Sequence, residues 1–264
     1  MMEQADVFTA LTAECDDLDA ILRDLEPDGW ASQTPAQGWT IAHQVGHLAA
    51  TFRMAGLAAS APAAFSAMMA TLDHDFDRNV SNALATYLAD PPAVLMARWQ
   101  AERFSAVKAL AASPEDQRVP WLVNPLPPSI LAAAGMAEAF AHGQDIADAV
   151  GLPRQYTDRL YPVVAFGVRT WDFGYLARKR ETPAREFRFT LTAPSSAVWE
   201  FGPADATDAI SGPAADFCLL VTRRRHRDDL ALTADGAAAE GWLDIAQAYR
   251  GPSGAGRSAG QFAR

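Results

Sequence analysis

Glu138-Ala139-Phe140-Ala141-His142-Gly143-Gln144-Asp145-Ile146 is the stretch on which the fold turns. It lies inside a run that reads as one helix from Ser129, as N-cap, to Val150. Gly151 sits where a C-terminal cap belongs, and Pro153 follows it. Glu138 and His142 are four residues apart, so a helix stacks them on one face. Ionisable groups on an inward helix face need a partner, and candidates for that partner lie back toward the N-terminus.

The partner stretch is Gly38-Trp39-Thr40-Ile41-Ala42-His43-Gln44-Val45-Gly46-His47-Leu48-Ala49. Thr40 reads as an N-cap, with Trp39 ahead of it to pack back on the first turn. The helix continues through Val45, Leu48 and Phe52, and Pro62 bends or ends it. His43 and His47 repeat the four-residue spacing. Two bundle helices that each present such a pair to the interior are a standard way to hold a metal. Imidazole and carboxylate together suit zinc, nickel, iron or manganese. The expected ligands are His47, Glu138 and His142; three protein ligands with an open position mark a catalytic site. A lone core histidine is more commonly a hydrogen-bonded structural residue, and it is the second pair that favours the ligand reading. His43, in the first turn, is either a group behind the ligands or an exposed residue. Asp145 is either a partner of His142 or an ordinary helix-surface acid.

Outward from these helices the pattern stays helical to about residue 180. Val7, Leu11, Leu18, Ile21, Leu22 and Leu25 have helical spacing, and Pro27-Asp28-Gly29 stops that helix. Asp73 to Asn79 is a polar break. A long segment from Val80 to Ala112 is interrupted at Asp90-Pro91-Pro92, and Pro120 to Pro128 is a loop. A fifth helix is expected over Thr157–Lys179. After Pro183 the character changes. Glu186 to Thr192 alternates polar and apolar with period two, Pro194-Ser195-Ser196 is a turn, and Ala197 to Phe201 is a return strand. Gly212-Pro213 precedes a helix over Ala214–Thr222, and a last helix covers Ala238–Tyr249. The expected fold is mainly α: a helical bundle over residues 1–180, a small α+β domain over 184–250, and a loose Gly- and Ser-rich tail over 251–264.

The bulk numbers narrow the function. The 264-residue chain is 50% hydrophobic, 20% charged and carries a formal net charge of −10. An acidic chain gains nothing from the phosphate electrostatics that drive nucleic-acid binding, and Arg223-Arg224-Arg225 alone does not make a groove. No apolar run reaches the roughly 18–20 residues of a membrane span. Met1 to Asp6 has no basic leader, and Cys15 and Cys218 are far apart. A reducing cytoplasm, no disulfide and a small-molecule substrate are therefore expected, in a monomer or homodimer.

The two histidine stretches resemble the motifs of the DinB-like, mycothiol-dependent maleylpyruvate isomerase family. Gly38-Trp39-Thr40, with His47 eight residues after the tryptophan, is similar to that family's second-helix motif. Glu138, three residues, His142-Gly143 and then Asp145 match its other motif. The family's sterol-carrier-like C-terminal domain starts with a hairpin and holds a Gly-x-Ala helix ending in arginine. Gly212-Pro213-Ala214, with Arg223 or Arg224 downstream, is similar. The resemblance covers most of the chain. It implies a DinB-like four-helix bundle and a divalent metal, zinc first, on His47, Glu138 and His142. It also implies mycothiol as thiol cofactor and a catalytic Arg223 or Arg224. His43 is an extra histidine, and the run from Arg223 to Asp229 is denser in charge than the family's usual ending. An arginine run at a helix end also stabilises the carbonyl pole while staying in water. Against that stands one guanidinium paired with a carboxylate of substrate or thiol.

The function so implied is that of a metal-dependent, thiol-dependent isomerase or transferase. It would activate a small thiol for isomerisation or S-transfer on a small electrophile. Two alternatives stand beside it. One is a metal-dependent hydrolase or lyase using metal-bound water on the same ligands. The other is a non-catalytic metal- or small-ligand-binding protein, with Trp171, Phe173 and Tyr175 lining an apolar pocket, although such aromatics are more commonly core.

Overall fold

The computed structural model describes residues 6–262. The expectation that no basic leader precedes Asp6 and the last two residues of the tail lie outside the described residues. The chain divides into two compact units, one to Arg154 and one from Gln155. This division falls well before Pro183, where the sequence pattern changes. The segment between, expected to belong to the bundle, packs instead with the elements that follow it, as described below.

The first unit is a four-helix bundle with two shorter helices. The four long helices are α1 (Val7–Arg23), α2 (Ile41–Ser60), α5 (Pro92–Ala112) and α6 (Pro128–Ala149); α3 (Pro62–Met69) and α4 (Phe76–Leu88) lie between α2 and α5. α2 packs on α5 and α6, and α1 packs on α6 and α5. Leu11, Cys15, Leu18 and Leu22 of α1 are buried at steps of four, three and four, the stripe a 3.6-residue period turns inward. Ile41, Val45, Leu48 and Phe52 do the same on α2, and Phe52 meets the edge of Trp99 at 5.1 Å. Each such large apolar side chain contributes roughly 1.5–3 kcal/mol on burial. One buried acid, Asp19, accepts from Trp99 Nε1 at 2.7 Å, Gln100 at 2.8 Å and Arg103 at 2.8 Å. Another, Glu14, is paired with Arg154, whose Nη1 also donates to the Phe140 carbonyl of α6 at 3.0 Å.

Proline sets several helix boundaries. Pro62 and Pro92 open α3 and α5, where a missing N–H is harmless. The same rule corrects the start of α6. It begins at Pro128 rather than after Ser129, and the Ser129 hydroxyl donates to Glu115 instead of capping. α4 starts inside the expected polar break, because Asp75 caps it by accepting the Arg78 amide at 3.1 Å. At the other end of α6, Gly151 has φ +68°. The Leu152 amide reaches the Ala147 carbonyl at 2.9 Å and the Gly151 amide reaches that of Asp148 at 3.3 Å, a Schellman stop.

The second unit carries a four-stranded sheet in the order β2-β1-β3-β4. β1 (Arg188–Thr192) pairs antiparallel with β2 (Val198–Phe201) and parallel with β3 (Ala209–Pro213), which pairs antiparallel with β4 (Thr233–Asp235). The hairpin was legible from its period. β3 and β4 were not: β3 contains Gly212 and Pro213, both depleted in strands, and β4 has three residues. Phe189 of β1 faces inward, 5.6 Å from Phe217 and 5.7 Å from Trp242. Those two residues belong to α9 (Ala214–Val221) and α10 (Ala237–Leu243).

The expected helix over Thr157–Lys179 is broken into a 3-10 turn (Asp158–Leu160), α7 (Tyr161–Arg169) and α8 (Phe173–Ala177). At the break the Thr170 hydroxyl donates to the Phe166 carbonyl at 2.8 Å, competing with the helical ladder. α7 packs on α9, where Gly167 leaves no room for a Cβ beside Phe217. α10 ends well before Tyr249, because the chain turns so that the Ala248 amide can donate to the Val221 carbonyl at 2.8 Å. Trp171 and Tyr175 join the aromatic core through Phe187 and Trp242; the Trp242 indole donates to the Trp171 carbonyl at 2.7 Å. Among the described residues no helix is long and apolar enough to cross a membrane, and both cysteines are buried.

Candidate metal centre

The centre is built where α2 and α6 face each other. A tight turn precedes α2: the Thr34 amide donates to the Trp39 carbonyl at 2.8 Å, and Gln33 bridges Thr40. Thr40 caps the helix, accepting the His43 amide at 3.4 Å. The His43 ring returns the contact, with Nδ1 3.3 Å from the Thr40 amide and 2.7 Å from its hydroxyl. His43 is thus the fourth corner of a capping box. Burial holds its pKa below the ordinary histidine value.

One turn further along, His47 meets Glu138 and His142 of α6. Among the described residues these three form the one group of His, Cys, Asp or Glu whose ligand atoms converge, all within 4.8 Å of one another. Glu138 Oε2 lies 3.4 Å from His47 Nε2 and 3.2 Å from His142 Nε2. The two imidazole centroids are 4.6 Å apart. Burial pushes the Glu138 carboxyl up, but the hydrogen bonds of His142 and His47, and their charge, more than offset this. The group is held well below the usual carboxylate range.

The donor set fits a divalent ion. Two ligands about 2.0–2.1 Å from a tetrahedral zinc lie roughly 3.3 Å apart, and the two imidazole–carboxylate separations bracket that value. A carboxylate oxygen only accepts, and a neutral imidazole offers one N–H and one lone pair, so each of these contacts is held by a cation or by a proton between the two atoms.

Around these three residues stands a polar and aromatic shell. The Trp39 ring lies 5.4 Å from His47 and is stacked on His142 at 6.0 Å. His142 Nδ1 bonds Gln44 Oε1. Gln44 Nε2 donates to Thr34 Oγ1 at 2.8 Å and to Asp145 Oδ2 at 3.4 Å. Asp145 is 0% exposed, which removes the surface-acid alternative. Its connection toward His142 runs through Gln44. Sequence reasoning missed Gln44 and Thr34. The available signal was a glutamine one turn before His47 on the same face, a position where a buried amide must be satisfied.

The arginines singled out in the sequence lie in the second unit, just past α9. Arg223 takes a left-handed conformation, φ +58°, with Nη2 3.4 Å from the Gly254 carbonyl and Nε buried without a hydrogen-bond partner among the described residues. Arg224 donates to the Thr222 carbonyl at 2.5 Å, as a helix-end arginine does. Arg225 stacks on Phe262 at 3.9 Å.

Residues 11–147 match the family described as the mycothiol maleylpyruvate isomerase N-terminal domain. Residues 183–235, which hold all four strands and α9, match a second family, described as wyosine base formation. Two uncharacterized proteins of Mycobacterium tuberculosis, from two strains, are each 41% identical over 247 residues, covering 94% of this chain and 96% of theirs. Crystal structures of the mycothiol-dependent maleylpyruvate isomerase and of a mutant of it superpose with a TM-score of 0.52 at 14% identity. The superposition covers 83% of this chain and 88% of that one. At that identity the likeness is one of fold.

Proposed function

The chain belongs to the family of the mycothiol maleylpyruvate isomerase N-terminal domain, and from that membership we propose that it is a metal-dependent enzyme that activates a small thiol, mycothiol by the family's description, for isomerisation or S-transfer on a small electrophile. The observation that carries the proposal is the convergence of His47, Glu138 and His142 within 4.8 Å. These three residues would hold the ion, zinc first among the candidates, and leave a position for one more ligand. A divalent ion there supplies Lewis acidity that deprotonates a bound thiol at neutral pH. Glu138 is engaged by both imidazoles, so it serves as a ligand and not as a free base. The Trp39 ring lies against both imidazoles and would wall one side of the ion. Arg223 or Arg224 would hold a carboxylate of substrate or thiol through the guanidinium fork. Arg223 is the stronger candidate of the two, since its Nε is uncommitted while Arg224 is spent on Thr222. A sterol-carrier-like identity for residues 184–250, rested on the hairpin and the Gly212-Pro213-Ala214 start of α9, and a cytoplasmic setting remain parts of this proposal.

The test is metal analysis of the purified protein, followed by turnover of electrophilic carbonyl compounds with and without mycothiol and other small thiols. Metal at one equivalent and strictly thiol-dependent turnover are expected. Thiol-independent hydrolysis or elimination on the same ligands would favour the hydrolase or lyase alternative. Metal without turnover of any kind would favour a binding protein.

A further inference from the structure

The hydrogen bonds behind His142 have a direction, and that direction can be read from a group whose role is fixed. The Trp39 carbonyl can only accept. The Thr34 hydroxyl, 2.8 Å away, therefore donates its one proton there. Having spent it, Thr34 Oγ1 can only accept from Gln44, 2.8 Å away, so the amide nitrogen of Gln44 faces Thr34. Asp145 Oδ2, 3.4 Å from the same nitrogen, makes the same demand, since a carboxylate oxygen also accepts. The Gln44 carbonyl oxygen is thereby turned toward His142, where it bonds Nδ1. An amide oxygen accepts, so the proton on that bond belongs to the imidazole.

We propose that Gln44, oriented by Thr34 and Asp145, is a positioning residue that fixes His142 as the Nδ1–H tautomer and presents the Nε2 lone pair to the space shared with Glu138 and His47. This rests on the metal reading above for its use, but not for its existence: the relay is complete in the protein without an ion. It runs from a backbone carbonyl in the turn before α2, through two side chains, to a ligand on α6, so the folding of one turn decides the protonation geometry of the opposite helix. An outer partner of a ligating histidine typically contributes a factor of 10–100 in metal affinity.

The experiment uses the full chain with its histidine rings labelled with nitrogen-15, freed of metal by chelation and held at a pH where His142 is neutral. The nitrogen shifts distinguish a protonated from a lone-pair nitrogen, and a His142→Ala spectrum assigns the signal. Wild type is expected to show Nδ1 protonated and Nε2 bare. Gln44→Leu is expected to lose that bias, and its zinc affinity to fall about 10–100-fold. Thr34→Val, a milder change that leaves Gln44 in place, is expected to weaken the bias in the same direction and covers the case in which Gln44→Leu does not fold. An Nε2–H tautomer in metal-free wild type overturns the proposal outright, as does an unchanged tautomer and affinity in a folded Gln44→Leu. A wild type that shows the Nδ1–H form but takes up no divalent ion upholds the relay and removes the metal reading instead.

Discussion

Replacing Glu138 by Gln changes one atom's chemistry and almost no volume, and it bears on both metal affinity and stability. With metal present the variant loses an anionic ligand. Four-ligand structural zinc sites bind with about 10–16 kcal/mol, or roughly 2.5–4 kcal/mol per ligand. Loss of one ligand is therefore worth on the order of 10²–10³-fold in affinity. With metal stripped, wild type holds a carboxylate 3.2 and 3.4 Å from two imidazole nitrogens. A neutral imidazole keeps one N–H, so the carboxylate still has a donor to accept from. A glutamine oxygen also accepts but carries no charge, and a hydrogen bond to a charged group contributes about 1.5–3 kcal/mol against about 0.5–1.5 kcal/mol for a neutral one. Glu138→Gln is therefore expected to be less stable than wild type by about 1 kcal/mol without metal. The Glu138 carboxyl is held low by the histidines, so its stabilising contribution is fully present above the unfolded carboxylate pKa of 4.5 and is lost as the pH falls below that. Denaturant titrations in chelator at pH 7, with zinc competition at pH 7.5, measure both quantities. Equal zinc affinity would remove Glu138 from the ligand set. A variant as stable as wild type at pH 7 without metal would refute the reasoning about the hydrogen-bonded carboxylate.

His43→Ala should retain metal and lose about 0.5–2 kcal/mol of stability, the range for a helix cap; loss of metal as complete as in His47→Ala would make it a fourth ligand. Arg223→Lys should impair turnover nearly as much as Arg223→Ala, by roughly 2–5 kcal/mol with normal metal content, while Arg225→Ala costs about 0.5–1 kcal/mol of local stability through its lost stacking on Phe262; steady-state kinetics on the three variants, with small and equal effects, would make the whole run a solvated helix end. A fragment ending at residue 156 should fold and bind metal by circular dichroism and metal analysis, whereas one ending at 150 should be destabilised by about 3–5 kcal/mol, because buried Glu14 loses Arg154; two fragments of equal stability would show that this ion pair is idle.

The bundle was legible because its signals are local and redundant. The α1 and α2 stripes, the Thr40 cap and the Gly151 stop each follow from a few adjacent residues, and the two histidine motifs carried His47, Glu138 and His142. What escaped depends on partners far along the chain. β3 holds a single deeply buried apolar residue, Ile210, and is a strand because β1 and β4 flank it. The break at Thr170 turns on a hydroxyl bonded to its own helix, and Arg154 is held in the first unit by Glu14, neither of which periodicity reveals. Gln44 escaped for another reason: glutamine has no metal chemistry of its own, and its part in the site exists only in the directions of its hydrogen bonds.

Trp39 enters the centre through two parts that obey different rules of inheritance. Its ring stacks against the imidazoles, and its carbonyl anchors Thr34. A side chain is open to every mutation of its codon, whereas a main-chain oxygen survives them all so long as the turn keeps its shape. Drift at this position can therefore alter what the site admits without disturbing the anchor that Thr34 and Gln44 are hung from. A lineage carrying this turn can vary the wall beside the two histidines while the Thr34–Gln44 arrangement passes unaltered from one generation to the next.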